Sequence, residues 1–340
     1  WAQWIFYRMS GEKIFTDDAR YPMYYTEYGR RPDGMTFAEG DMGVDTIGVE
    51  PTYFNYLQPA FFAAGFYSDP YLKYQTAVQS GGYNSFNYSF TTLTPVQFIL
   101  FNDPDTDGRP FSELPNTAYF GAPNGTMVAR TGWEMGMDSP VAMAYMRIGE
   151  RWAANHHHLD AGTFQLYYKG ILAFNPGRYD AYGTEHDYNF NKETISHNGL
   201  LIYDPNETMP NNVVNSGGQK RINSGEPATF DIWMDDARHK MGEVLGQEAG
   251  PDALRPEYSY ISGDVADAYS DKVSEVRRSM AFFDNDNEDI PALFFVMDKI
   301  TSKDKSFKKT FLLHSLQEPE VSGNTTTIKR GTDGYNGKLV

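Results

Sequence analysis

What most constrains the fold of this chain is a change of texture between residues 104 and 118. Before it, apolar residues recur at helical spacing: residues 1–9 read as one helix stopped near Gly11, and residues 54–67 as another, bent or begun at Pro59. Pro70 suits the first turn of a helix over 70–79, and Thr94 followed by Pro95 opens one over 94–101. After it come short β-branched or alternating runs at 126–130, 141–148, 163–168, 199–203, 291–300 and 308–315, punctuated by turn signals such as NPG, DPN and SGG. Such strands without intervening helices pack as an antiparallel sandwich. The expectation is an α+β multidomain chain, with helices over 1–113 and an antiparallel β-sandwich over 114–340.

At 340 residues the chain exceeds one usual core. Its net charge of −16 argues against a general nucleic-acid binder, because phosphate neutralisation needs surplus Lys and Arg. It also disfavours a highly sulfated ligand unless a local basic patch overrides the average. Without cysteine there is neither a disulfide framework nor a thiolate nucleophile. No apolar run approaches the roughly 20 residues that cross a bilayer. The chain opens on WAQWIFYRM without an initiator Met and stops at GKLV as a new apolar run begins, and so reads as an internal piece of a larger protein.

Five of the seven histidines, His156, His157, His158, His186 and His197, fall in one window. Imidazole serves both proton transfer near neutral pH and metal ligation. Were residues 156–158 a strand, His156 and His158 would share a face and His157 would point away. His158, His197 and the amide of Asn175 would make a zinc site with water as fourth ligand, with Asp160, Glu185 or Asp187 as alternative oxygen donors. The competing reading makes both histidines hydrogen-bonded core residues. His156 could be a general base, a charge-stabilising donor or a group that orients the site. Tyr179, Tyr182 and His186 lie in RYDAYGTEHD, a polar loop suited to a site rim. Arg30, Arg31, Arg130 and Arg178 could receive a carboxylate through paired donors, against the plainer reading of ion pairs at the surface or between domains. No G-x-S-x-G, Walker, G-x-G-x-x-G or H-E-x-x-H motif occurs.

The stretch NHHHLDAGTFQLYYKGILAFNPG (155–177) resembles the Asn-His-x-His-Leu-Asp-Ala-Gly motif of the heparinase II/III-like polysaccharide lyases. YGTEHDYNFNKETISHNGLLIYDP (182–205) continues the likeness, and weaker echoes follow at 258–283 and 308–321. The resemblance implies closing helices of an (α/α) toroid followed by an antiparallel sandwich. It also implies β-elimination on a uronic-acid polysaccharide. By motif position His156 would be a catalytic histidine, Tyr182 a second active-site tyrosine of some alginate-cleaving members, and His158, Asn175 and His197 the ligands of a structural zinc. Asn155, Arg178, Tyr179 and His186 would line the substrate. Asn175 departs from the family's usual Asp, and no histidine precedes residue 156 to match the toroid's own, so the remaining groups would come from an N-terminal toroid segment.

These readings converge on a secreted or periplasmic lyase of an acidic polysaccharide. The tyrosine-rich loop and the acidic balance favour alginate, with heparin, heparan sulfate or another glycosaminoglycan as the alternative. A noncatalytic carbohydrate-binding sandwich is a second class. A cupin-like metal oxygenase on His156-x-His158 is a third, disfavoured because no Glu follows to complete its ligands.

Overall fold

A computed structural model describes residues 2–42, 57–79, 94–153, 155–177, 179–210, 213–222 and 227–340. The described residues divide into two compact units. One holds 2–30, 34–36, 57–79 and 94–114; the other holds 31–33, 37–42 and the described residues from 115 onward.

The first unit is helical, with α1 (Ala2–Ser10), α2 (Tyr21–Tyr28), α3 (Leu57–Tyr67), α4 (Pro70–Gln79) and α5 (Pro95–Phe101). Residues 54–56 of the second expected helix lie outside the described residues. Pro70 opens α4 as foreseen, because Asp69 Oδ1 accepts from the N–H groups of Tyr71 and Leu72 and satisfies donors the helix leaves free. At α5, Thr94 and Gln97 form a reciprocal capping box with Pro95 in the first turn. The unit closes around Phe61, Phe62 and Phe101, with Trp4 packed against them. The sequence reading passed over α2, whose apolar residues show little one-sidedness.

The second unit carries the sheets. Strands β1 (Thr117–Phe120), β2 (Thr126–Arg130), β3 (Ala142–Arg147), β4 (Phe164–Tyr168) and β5 (Ile171–Ala173) form an antiparallel meander in that order. A second meander runs β10-β9-β8-β7, from β7 (Glu243–Gly250), β8 (Tyr258–Asp264), β9 (Val273–Asp284) and β10 (Ala292–Ser302). β6 (Leu200–Tyr203) pairs with β11 (Lys308–Phe311), and β12 (Glu320–Ser322), β13 (Thr325–Arg330) and β14 (Gly337–Leu339) form a small three-stranded sheet. One core joins the two meanders: Ala142, Ala144, Met146 and Phe164 of the first meet Ile261, Val276, Met280 and Phe282 of the second. This is the expected α+β architecture.

One expectation needs correction. Helices do occur after the join: α6 (Phe230–Asp235) is capped by Thr229, and several single helical turns stand between strands. The first meander is also not open on its far side, for β2 and β3 are buried at every position. Residues 31–33 and 37–39 of the same unit cover that side. Phe37 packs on Tyr145 at 5.7 Å, the Arg31 guanidinium lies 5.5 Å from the Tyr167 ring, and Gln165 clasps the backbone of Ala38 with bonds of 3.1 and 2.6 Å.

Candidate functional site

Gln165 of β4 is fully buried, and its carboxamide both donates to and accepts from Ala38, as a neighbouring strand would. That clasp fixes the chain three residues before Asp41, which sits on a short helical turn, Gly40–Met42. Gly40 has φ +56, and a Cβ there would lie 2.4 Å from the His156 carbonyl oxygen. Only glycine allows this approach, which lets Asp41 N–H donate to the same carbonyl at 3.2 Å.

His156, His157 and His158 lie in the connection from β3 to β4, where residues 155 and 156 form a turn and none of the three is in a strand. Asn155 is exposed and left-handed at φ +48. His156 and His158 nevertheless share a partner, reached through the turn. Asp41 Oδ2 is 2.7 Å from His156 Nδ1, and Oδ1 is 2.9 Å from His158 Nε2. His157 turns away, its Nδ1 accepting from Ala153 N–H at 2.9 Å. Burial alone would push the Asp41 carboxyl up, but hydrogen bonds from both histidines and the charge of Lys192 outweigh it and hold it below the usual value. An ionised carboxylate only accepts, so both ring nitrogens facing Asp41 are donors. In the neutral imidazole this leaves Nε2 of His156, whose side chain is 70% exposed, as the bare nitrogen. A general base needs that arrangement.

Behind it, the His158 and His197 rings meet at 84°, with His158 Nδ1 and His197 Nε2 3.1 Å apart. His197 Nδ1 donates to the Glu193 carbonyl at 2.9 Å, so its Nε2 is a lone pair. Burial first, then the nearby charge at His158, lowers its pKa to about 4. With the far nitrogens of both rings committed as donors, a proton or a cation must occupy the space between the two facing nitrogens. This orientation by outer partners is that of metal-binding histidines. Asn175 does not complete the set: its amide donates to Ala38 O at 3.4 Å and accepts from Thr163 Oγ1 at 3.5 Å. Among the described residues no three His, Asp or Glu side chains are placed to hold a metal. Asp160, a suggested substitute, is buried and paired with Arg147 at 3.5 Å. The two histidines thus suit a cation and the oxygen donor is not in place.

The tyrosine loop lies between β5 and β6, where residues Asp187–Asn191 make a single π-helical turn, a form frequent at functional sites. That turn aims Asp187 inward, where Oδ2 accepts from Gly183 N–H at 3.1 Å. Lys192, just after it, is buried and joins the two halves. Its Nζ is 3.6 Å from Asp41 and 3.5 Å from Asp187, and lies 5.0 Å from the Tyr182 ring and 6.0 Å from that of Tyr179. Tyr182 is 66% exposed and meets Tyr188 edge-on at 6.4 Å. His186 packs against Phe190 with the rings tilted by 35° and 5.5 Å between centres. Arg178 lies outside the described residues. Arg30, Arg31 and Arg130 are not surface groups: Arg30 pairs with Glu27 at 2.6 Å, Arg31 with Asp33 at 3.0 Å, and Arg130 lies on Trp133 at 4.0 Å.

Sequence reading missed Asp41 and Lys192, and named Asp187 only as an alternative metal donor. Asp41→Asn would set an amide against two ring donors, and a 10- to 100-fold loss of activity is expected, as for partners that orient metal ligands; steady-state rates check this. Glu193 carries a second expectation. Its carboxyl is buried, with Arg221 3.4 Å away, and burial, only partly offset by that charge, raises it to about 7. A carboxyl raised in the folded state loses stability as pH climbs from its unfolded pKa through the folded one. Glu193→Gln should therefore gain about 3 kcal/mol at pH 8 and nothing at pH 4, read by urea unfolding.

Residues 127–338 match the family described as heparinase II/III-like, C-terminal. The chain belongs to the heparinase II/III-like family. Among solved structures, a heparinase III with methylated lysines is 13% identical with a TM-score of 0.52, over 92% of this chain and 36% of that one. Another heparinase III structure gives the same values. A heparan sulfate lyase HepC mutant from Pedobacter heparinus is 13% identical with a TM-score of 0.49, covering 88% of this chain and 35% of that one. At such identity the likeness to heparinase III establishes the fold, and the chain spans little more than a third of the length of these proteins. No curated protein matches the sequence.

Proposed function

We propose that this heparinase II/III-like chain forms the sandwich side of a polysaccharide lyase active site that cleaves a uronic-acid-containing polymer by β-elimination. The observation that carries the reading is the Asp41–His156 pair, with an exposed Nε2 beside the Tyr182 loop. In the reaction a base removes the C5 proton, the C–H electrons become the C4=C5 double bond, and the C4–O4 bond breaks as O4 takes a proton. His156 and Tyr182 are assigned the proton transfers. Asp41 orients His156, and Lys192 adds positive charge against the phenol ring. Asn155, Tyr179 and His186 are proposed to line the sugar path, and Arg178 is carried over by motif position alone.

For the substrate, the family description and the heparinase III structures lean toward heparin or heparan sulfate, the alternative in the sequence reading, and no comparison points to alginate. An extracellular or periplasmic setting follows from such a substrate. No helix among the described residues is long and apolar enough to cross a membrane. The test is the ultraviolet rise of the conjugated double bond when the full protein meets heparin, heparan sulfate and alginate. A rise on a glycosaminoglycan supports the reading, a rise on alginate alone moves the substrate, and no rise on any uronic-acid polymer sinks the lyase.

A zinc-like ion between His158 and His197 is likewise a proposal, with a structural role and no part in proton transfer. Asn175→Asp should raise zinc content toward one ion per chain by elemental analysis, because a carboxylate is the better oxygen donor. Equal zinc in the two proteins would remove residue 175 from the ligand set.

A further inference from the structure

The first meander has its outer side covered by residues 31–33 and 37–39, whereas the outer side of the second stays open among the described residues. Alternation along β9 and β10 sends Val276, Met280 and Phe282 into the core and leaves Phe283, Leu293, Phe295 and Met297 facing outward. Phe295 is 57% exposed and Met297 70%. Tyr258 of β8, Phe283 of β9 and Leu293 of β10 are cross-strand partners and form one row over three strands. The Tyr258 and Phe283 rings are 6.4 Å apart, and Phe295 meets Phe283 edge-on at 5.5 Å. Single exposed apolar side chains are ordinary, but a contiguous set on one sheet face marks an interaction surface. The ends of this band differ in charge. At one end Arg277 and Lys299, cross-strand partners and both exposed, share the carboxylate of Glu275 at 3.6 and 2.9 Å, which leaves one positive charge over. At the other, residues 285–291 join β9 to β10 with Asp286, Glu288 and Asp289 exposed and no Lys or Arg. Among the described residues none of these three acids has a cation at ion-pair distance.

We propose that a second copy of this chain docks on this face, the two sheets stacked face to face with their strands antiparallel. A surface that packs on itself must be self-complementary under a two-fold rotation. With the axis between the sheets, across the strands and level with Phe295, Leu293 of each copy lies over Met297 of the other. The acidic hairpin of each then meets the other's Arg277 and Lys299. An axis along the strands would instead set hairpin against hairpin, carboxylates facing carboxylates, so charge selects the first arrangement. Sheets in sandwiches stack in this aligned way. A face four strands wide and about 30 Å long offers on the order of 600 Å², within reach of the roughly 600–1,000 Å² that each partner gives to a specific complex. The interface depends on this sheet alone and is independent of the lyase reading.

The experiment is sedimentation equilibrium of the full protein over a range of concentrations. Wild type should show a monomer–dimer equilibrium. Phe295→Lys should weaken the dimer about a hundredfold with an unchanged circular dichroism spectrum, because the ring is central and the two-fold axis places the change in the interface twice. Lys299→Glu should weaken it about tenfold, and adding Asp289→Lys to that variant should restore it by exchanging the two charges. A wild type that stays monomeric up to its solubility limit overturns the proposal, and so does a dimer that Phe295→Lys leaves as tight as before. Should Phe295→Lys fail to fold, Met297→Lys, at the more exposed position, takes its place under the same expectation. A dimer that Lys299→Glu weakens and Asp289→Lys does not restore overturns the antiparallel stacking.

Discussion

Replacing His156 with glutamine is expected to lower turnover of the full protein about a thousandfold while leaving its melting temperature in place. The two outcomes separate because of where the side chain sits. It is largely exposed, so little packing is lost, and its one recorded polar partner is Asp41, which keeps His158 and Lys192. Glutamine can still donate a hydrogen bond to Asp41, but it has no group that takes up a proton near neutral pH. Initial rates by ultraviolet absorbance and a thermal melt check the expectation. Turnover within a few-fold of wild type would remove His156 from the chemistry and leave the Asp41 pair a structural one.

The largest effect on stability is expected from Arg278→Met. Arg278 lies on β9 with its side chain 1% exposed, paired with Asp298 through bonds of 2.7 and 2.8 Å. Its Nη1 also donates to the carbonyls of Gly162 and Asn198, at 2.6 and 3.0 Å. Methionine fills much of the volume but leaves Asp298 and two carbonyls without their donors. Removing one partner of a buried pair costs about 3–5 kcal/mol, or roughly a 10 °C fall in melting temperature for a chain of this size. Gly162 closes the histidine turn and Asn198 follows His197. The variant should therefore also lose activity below its melting temperature. A melt within about 2 °C of wild type would contradict this reading.

What could be read in the sequence, and what could not, divides along physical lines. Signals confined to a few residues came through. Thr94-Pro95 fixed the start of α5, because capping involves one turn, and the alternating run at 291–300 became β10 (Ala292–Ser302). The motif at 155–162 pointed to the segment that carries His156 and His158. Signals that depend on distant chain were lost. Asp41 lies 115 residues before His156, and its local sequence, Glu39-Gly40-Asp41, looks like any polar joint. Lys192 reads as a loop cation until the π-helical turn buries it. The spacing His156-x-His158 implied a shared strand face, whereas the left-handed Asn155 starts a turn there and the two rings meet through Asp41.

The route of residues 31–33 and 37–42 bears on how such a protein can be taken apart. They lie within the helical stretch of the sequence, yet belong to the unit that contains the sheets. A fragment cut at the obvious join, beginning at residue 115, would keep the strands of both meanders and both histidine segments, and would lack the carboxylate that orients them. Gln165 would lose Ala38, and Tyr145 and Tyr167 would be laid bare. Shuffling residues 115 onward between relatives as a module would carry the histidines and leave their counter-ion behind, so in this chain the join seen along the sequence is the boundary neither of folding nor of chemistry.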